Sequence, residues 1–362
     1  LNIYPGFAVP LTVSNQQASF MNSHDASNKY IGAIMLPLRL VAGWLFFSAF
    51  WRRVVLVPEK HIMDAPQWIG HKINTFYPHS NGLFKTMLGR FVENPEEMNV
   101  FTYVFTYSEL LAGLLLIAGF LSRLSGLLLV GLAVGLMHTA GWLGPTCLDE
   151  WQISSMLVAI GVVLTLYGSG SYSLDNLISR RSPALAKKRW WQALTLPLPV
   201  ANNKVFRKTT YAVSAAVILY VVGMNQVHHG GLWGKLHNYS KIPDIQVSDY
   251  RALNDSTFSL SLYRDKGPET YGSFLIQLKI QDSSGQPVYT FDQDYMKAIG
   301  SGDIHNQHIN KIKPGKHSLL VPLGAKGQVT FHLPENKKLK TNKDYRFVFT
   351  DISGRKFTGP KR

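Results

Sequence analysis

Residues 124–143 read LSGLLLVGLAVGLMHTAGWL, a run that contains no lysine, arginine or carboxylate. A helix of about 20 residues rising about 1.5 Å each covers about 30 Å, the hydrocarbon thickness of a bilayer. We read the stretch, extended to 122–143, as a membrane span in which Gly126, Gly131 and Gly135 predict close approach of neighbouring helices. Four further stretches are long and apolar enough to cross, at 31–56, 100–120, 151–168 and 208–227. The first four spans make a bundle. The fifth, TYAVSAAVILYVVGMNQV, stands behind a linker broken by Pro183, Pro197 and Pro199, which reads as a join between two formerly separate pieces.

From about residue 240 the pattern changes. Short alternating runs such as FSLSLYR, SFLIQLKIQD, PVYTFDQ, VTFHL and YRFVFTD are separated by Gly, Pro, Asn and Asp, and predict a β-sandwich. The strings Asp282–Gly285 (DSSG) and Asp351–Gly354 (DISG) are hairpin-like turn signals, and no 3.6-residue apolar period of useful length appears there. The expected fold is therefore an α-helical four-helix membrane bundle with one further transmembrane helix, followed by an extracytoplasmic all-β, sandwich-like domain. The segments are 1–29, an N-terminal segment; 30–170, the four-helix domain; 171–204, a cytoplasmic basic linker; 205–230, the fifth transmembrane helix; and 231–362, the β-domain.

Composition agrees: 46% hydrophobic against 16% charged residues points away from an ordinary soluble enzyme. The formal charge of +15 does not point to nucleic acid, because the basic residues are dispersed and the richest run lies between apolar segments. That run, Arg180, Arg181, Lys187, Lys188, Arg189, Lys204, Arg207 and Lys208, is the densest basic cluster adjoining a span and predicts a cytoplasmic linker. Counting crossings from it puts the N-terminus and Arg123 inside, and the 57–99 loop, the 143–150 loop and everything after 228 outside a cytoplasmic (inner) membrane. Residues 1–28 contain no complete signal peptide, so the first span is expected to act as its own anchor. The one cysteine, Cys147, excludes an internal disulfide and a cysteine-based metal cluster. His305 with His308, and His228 with His229, lack supporting carboxylate or cysteine ligands, and no metal site is expected.

Ionisable groups inside spans need a partner or a task. Measured from the expected inner ends, Arg39 lies about 12 Å up the first helix, Glu109 about 16 Å up the second and His138 about 22 Å up the third. Arg39 and Glu109 at such similar heights form either a buried structural salt bridge or a polar border to a quinone head group. His138 either hydrogen-bonds a quinone carbonyl and passes a proton or is satisfied by a neighbouring helix. With Trp44, these are the quinone-side candidates.

Arg52 and Arg53 follow the aromatic run WLFFSAFW at the outer end of the first span, against the charge rule. Forked guanidinium hydrogen bonds suit a small dianion, while snorkelling to lipid phosphate is the alternative. Lys60, His61, His71, Lys72 and His79 extend this cationic outer face. The densest constellation is Trp142–Trp151, WLGPTCLDEW, where Cys147 stands beside Asp149 and Glu150 between two interfacial tryptophans. A thiolate there attacks or holds sulfane sulfur if nearby arginines outweigh the carboxylates; otherwise the cysteine is inert and the carboxylates pair the arginines. The candidates are Cys147, Asp149 and Glu150 for catalysis, and Arg52, Arg53, Lys60, His71, Trp142 and Trp151 for substrate.

The strings LRLVAGWLFFSAFWRR (38–53), WIGH (68–71), SELLAGLLLIAGFLSRLSG (108–126) and GWLGPTCLDEWQ (141–152) resemble the DoxD subunit of thiosulfate:quinone oxidoreductase, within the DoxX-like membrane proteins. The helix and β-rich region from about 205 onward look like the partner DoxA subunit fused behind it. The resemblance implies oxidation of thiosulfate to tetrathionate outside the membrane and reduction of a quinone as electron-accepting substrate, within a lipid bilayer. No flavin, haem or metal motif is present, and a homo-oligomer stays open. The same residues also fit quinone-linked oxidation of another small sulfur compound, or a non-catalytic membrane anchor with a partner-binding β-domain.

Overall fold

The structure is a computed structural model that describes residues 12–143, 150–195, 203–230, 233–238, 240–269, 273–339 and 344–360, the first eighteen of these and Tyr30's neighbour Ile31 by backbone alone. It divides into two compact units, each drawn from several parts of the chain: 1–49, 108–131 and 157–213 in one, and 50–107, 132–156 and 214–362 in the other. Five helical segments are long and apolar enough to cross a membrane: Gly32–Leu56, Pro95–Ala118, Ser122–Thr139, Glu150–Tyr167 and Lys204–His228.

The first unit is helical. Helix α1 (Thr12–Trp51) begins well before the apolar stretch and carries Pro37 inside it. The helices numbered next in the chain, α2 (Ile69–Phe76) and α3 (Gly82–Glu93), belong to the second unit. In the first, α1 crosses α4 (Pro95–Ala118) at a pair of glycines. A Cβ on Gly43 would lie 3.0 Å from the Gly113 carbonyl oxygen, and one on Gly113 would lie 2.9 Å from that of Gly43. Helices α5 (Ser122–Thr139) and α6 (Glu150–Tyr167) repeat the arrangement at Gly126 and Gly161, each 2.8 Å from the other's oxygen. Small residues let backbones approach where lipid supplies no hydrophobic drive to associate. Of the three glycines expected at such contacts only Gly126 makes one; nothing stands within 4 Å of a Cβ on Gly131, and Gly135 meets only Phe84 at an ordinary 3.5 Å.

The α4–α5 turn uses positive φ at Gly119 and Leu121. It is held by Asp175 in α7 (Leu174–Arg181), whose carboxylate accepts from Leu121 N and Ser122 N, both 2.8 Å, and from Ser122 Oγ. A buried carboxylate thereby satisfies donors at the start of α5. Two short helices, α8 (Pro183–Ala186) and α9 (Arg189–Thr195), continue the linker, and α10 (Asn203–His228) follows.

In the second unit α1 ends in a π-helical turn over Arg52–Leu56. The stretch expected as a plain outer loop contains α2 and α3. They form because their apolar faces have something to cover: Ile73, Leu88, Val92 and Met98 pack with Ile309 of the β-domain. Polar bonds key the contact. Asn74 Nδ2 donates to Gly324 O (3.1 Å), Asn310 N to Asn74 Oδ1 (2.8 Å) and Ile309 N to Val92 O (2.9 Å).

The β-domain has two antiparallel sheets. Strands β1 (Asp244–Ala252), β2 (Thr257–Lys266), β8 (Lys326–His332) and β5 (Ile304–Asn306) lie in that order in one. The other runs β10 (Lys356–Gly359), β9 (Arg346–Asp351), β3 (Ser273–Gln281), β7 (Leu319–Val321) and β6 (Lys313–Pro314), with β4 (Pro287–Phe291) also paired to β3. Alternation puts Gly327, Val329 and Phe331 of β8 inward, against Phe258, Phe347 and Phe349. Both predicted hairpins are present: Asp282 and Asp351 each use Oδ1 to accept backbone N–H groups of their turns, with Gly285 at φ +85° and Gly354 at φ +81°. Helix α11 (Gln293–Ala298), the one α-helix among the described residues of the domain, is too short to show an apolar period, and is started by Asp292 capping Tyr295 N at 3.0 Å.

Candidate functional site

Trp142 follows the end of α5, and Trp151 sits in the first turn of α6, where exposed Glu150 complements the helix N-terminus. Trp151 N donates to Gly141 O (3.3 Å), and the two indoles stack at 5.7 Å and 11°. The residues bracketing 144–149 are therefore held together. Cys147 and Asp149 themselves lie outside the described residues.

Around this stack the chain gathers histidines. His228, at the end of α10, lies flat on Trp142 (4.2 Å, 15°), and His229 stands edge-on to both indoles at 5.2 and 6.3 Å. Asn81 ties His228 to His138. Its backbone N donates to His138 O (3.1 Å), its Nδ2 donates to His228 Nε2 (2.8 Å), and its Oδ1 accepts from His138 Nδ1. With the amide so placed, His228 accepts at Nε2 and is neutral, and His138 carries its proton on Nδ1. Phe84 stacks on the His138 ring at 5.4 Å.

A cavity of about 270 Å³ opens beside this group, lined by His79, Lys85, Trp142, His228, His229, Asn238, Asp265 and Lys266. Three buried polar atoms of its lining residues have no hydrogen-bond partner: His79 Nε2, Trp142 Nε1 and Asp265 Oδ1. Leaving such groups unsatisfied costs about 1–3 kcal/mol each, which a polar ligand can recover. Burial lowers the His79 pKa to about 4, with Lys85 and Arg264 adding to the effect, so this imidazole is neutral at physiological pH. Burial raises the Asp265 carboxyl. The lysines and the indole N–H favour a small anion, and each neutral imidazole offers one donor and one acceptor nitrogen. Among the described residues no three His, Cys, Asp or Glu side chains come together as metal ligands would.

The other expected site residues fall into separate places. Arg52, Arg53 and Lys60 do form one cationic group: burial first, then the fields of Arg52 and Arg53, lower the Lys60 pKa. Arg53 donates to Thr106 Oγ1 (3.4 Å) and lies over the Phe105 ring at 5.3 Å. His61 packs on Tyr103 at 4.7 Å. His71 instead bonds Asn310 (Nδ1 to Oδ1, 3.1 Å) and lines a different, 750 Å³ cavity with Trp68, Lys311 and Lys313. Burial is the main cause lowering its pKa.

In the first unit Arg39 is buried and donates from Nη2 to Tyr172 O (2.8 Å), with Asp175 as its nearest charge influence and Gly119 directly against its guanidinium. The pairing of Arg39 with Glu109 allowed by the sequence is not what the register gives. Gly113 faces Gly43 and Phe47, and Gly119 faces Arg39, so Glu109 sits ten residues, about 15 Å, along α4 from Arg39. Glu109 is buried, whereas Trp44 is 60% exposed on the apolar outside of α1.

Sequence reasoning did not place Asn81, Lys85, Asn238, Asp265 or Lys266 beside the tryptophans. The doublet His228–His229, two titratable side chains where a span meets water, is a local signal for the cavity.

Among solved structures, the archaellum periplasmic stator protein complex FlaF and FlaG from Sulfolobus acidocaldarius aligns over 35% of this chain and 96% of its own, at 13% identity and a TM-score of 0.20. Its FlaG protein alone aligns over 33% and 98%, at 13% identity and 0.21. Residues 34–199 match the family model described as TQO small subunit DoxD, and residues 228–359 match TQO small subunit DoxA. The chain thus belongs to the thiosulfate:quinone oxidoreductase subunit families, with its DoxD and DoxA parts fused in one polypeptide.

Proposed function

We propose that this membrane protein oxidises thiosulfate to tetrathionate on the outer side of a cytoplasmic membrane and passes the electrons to a quinone. The balance is two thiosulfates, one quinone and two protons giving one tetrathionate and one quinol. The observation that carries the reading is the 270 Å³ cavity, in which Lys85, Lys266 and buried, partnerless Trp142 Nε1 stand beside the tryptophan pair bracketing the only thiol of the chain.

In this reading the Cys147 thiolate and the sulfane sulfur of one thiosulfate form an S–S bond, releasing two electrons to the quinone. The sulfane sulfur of a second thiosulfate then attacks the sulfane sulfur of that adduct, forming tetrathionate and returning the thiolate. Lys85 and Lys266 offset the repulsion between dianions. Asp149 and Glu150 position the cations or carry protons, and Arg52, Arg53, Lys60 and His71 gather anions outside. Arg39, Trp44, Glu109 and His138 remain the proposed quinone-side residues, with His138 linked to the cavity through Asn81 and His228. The basic linker supports a cytoplasmic placement of 171–204, and hence the C-terminal domain outside.

A second reading, oxidation of another small sulfur compound such as a thiol, is favoured by the unpartnered Asp265 Oδ1 in the lining, a poor neighbour for a dianion. The test is quinone reduction by purified protein in detergent with thiosulfate as sole donor, following quinone absorbance and tetrathionate together. Two thiosulfates consumed per quinone, abolished by Cys147→Ser, is the expected result. Full activity in Cys147→Ser would exclude the covalent route; reduction only with other sulfur donors would move the second reading ahead.

A further inference from the structure

The linker between the fourth and fifth spans carries a dense run of cations, and the structure shows how it is displayed. Arg180 and Arg181 end α7, and Lys187, Lys188 and Arg189 run into α9; all five side chains are exposed, and none has an acidic partner among the described residues. The one carboxylate of the segment, Asp175, is buried under the α4–α5 turn and is committed to Leu121 N and Ser122 N.

The display is fixed in place. Trp191 is buried, donates from Nε1 to Ser179 Oγ (2.9 Å) and so fastens α9 to α7. Arg123 donates from Nε to Thr165 O (3.1 Å) and from Nη1 to Ala193 O (3.0 Å), fastening α9 to the end of α6. The span Glu150–Tyr167 ends only seven residues before α7 begins at Leu174. These bonds hold the cations close in the chain to the end of the Glu150–Tyr167 helix, a candidate span. Beside them Trp190 is 53% exposed, Leu177 42% and Leu174 37%, apolar side chains that favour the same interfacial depth.

We propose that the α7–α9 elbow is a binding surface for anionic phospholipid, its cations taking the phosphates while Trp190, Leu174 and Leu177 enter the acyl boundary. Charge complementarity identifies the occupant: unpaired guanidinium and ammonium groups favour phosphate oxygens, and the apolar companions select a lipid over a soluble phosphate. Each cation near an anionic surface strengthens binding about fivefold, and the effect falls as salt shortens the screening length.

The test uses the full chain in neutral detergent, following the thermal unfolding midpoint during titration with phosphatidylglycerol, phosphatidylcholine or glycerol 3-phosphate. Phosphatidylglycerol alone should raise the midpoint. The Arg180→Gln/Arg181→Gln pair and the Lys187→Gln/Lys188→Gln/Arg189→Gln triple should each need at least tenfold more of it, while Arg180→Lys/Arg181→Lys should respond as the wild type does. Since these side chains are exposed, the glutamine variants keep their fold, checked by the lipid-free midpoint. Equal responses to the two phospholipids, an unchanged response in both glutamine variants, or a matching response to glycerol 3-phosphate would each overturn the proposal.

Discussion

Acid should destabilise this protein through His79, and the size of the effect follows from its burial. The imidazole has an ordinary pKa near 6.5 in the unfolded chain and one of about 4 in the fold, where burial dominates and Lys85 and Arg264 add to it. The folded value is the lower, so the unfolded chain takes up the proton first as the pH falls. His79 therefore leaves stability intact above about pH 6.5, removes it progressively between 6.5 and 4, and adds no further slope below. At about 1.4 kcal/mol per pH unit the full loss is about 3.5 kcal/mol, of which about 2.5 kcal/mol is gone by pH 4.5. His71 and His308 are shifted in the same direction by burial, so the total acid sensitivity does not isolate His79. The comparison that does is wild type against His79→Gln, by denaturant unfolding at pH 7.5 and pH 4.5 with tryptophan fluorescence as readout. The variant should lose about 2.5 kcal/mol less on acidification. Equal losses in the two proteins would show that His79 charges freely in the fold, and would refute the neutral-imidazole picture of the cavity.

Three other outcomes are expected. Gly113→Leu should destabilise the bundle by about 2 kcal/mol or more, because its side chain would meet the α1 backbone at Phe47, whereas Gly131→Ala, with open space around it, should leave the thermal midpoint unchanged or raised. Asp175→Ala should lower stability by about 2 kcal/mol, by freeing the Leu121 and Ser122 N–H groups and removing the charge that offsets Arg39; thermal unfolding with a folded Asp175→Asn control measures it. On the proposed reaction, Lys85→Gln with Lys266→Gln should raise KM for thiosulfate about tenfold with kcat little changed, whereas loss of kcat alone would place the lysines in the chemical step.

Two kinds of pattern made most of the fold readable. Apolar runs of bilayer length located all five spans, since in a membrane the helix must satisfy its own backbone and length becomes decisive. Alternation located β2, β3, β4, β8 and β9, because each has one face on a shared core. The elements that went unread have no such self-contained pattern. Helices α2 and α3 are amphipathic over only two or three turns, and their covering partner, Ile309, lies more than two hundred residues away in sequence. The cavity is similar: Asn81, His138 and His228 are joined by hydrogen bonds whose partners are 57 and 147 residues apart, a relation that no local spacing encodes. The tryptophans were findable because WLGPTCLDEW concentrates them within one string; the histidines that complete the cavity come from distant stretches, and no local spacing joins them to it.

The Arg39–Glu109 comparison shows where reasoning by helix height breaks down. Height along a span is counted from one of its ends, and for α4 that end is a real turn, marked by positive φ at Gly119 and Leu121. For α1 the assumed end at residue 31 was only a boundary in composition, since the helix continues back to Thr12 without interruption. Nothing in the polarity of 12–30 tells where the bilayer begins on such a helix. The register is set instead by where backbones can touch, and the reciprocal contact of Gly43 with Gly113 sets it so that Arg39 meets the α4–α5 turn. Arg39 is consequently a boundary residue of the bundle, held by the Tyr172 carbonyl and the field of Asp175, while Glu109 answers to a different level of α4. Two buried charges at similar apparent heights therefore sit at different levels of the bundle, and the residue that could have said so is a glycine.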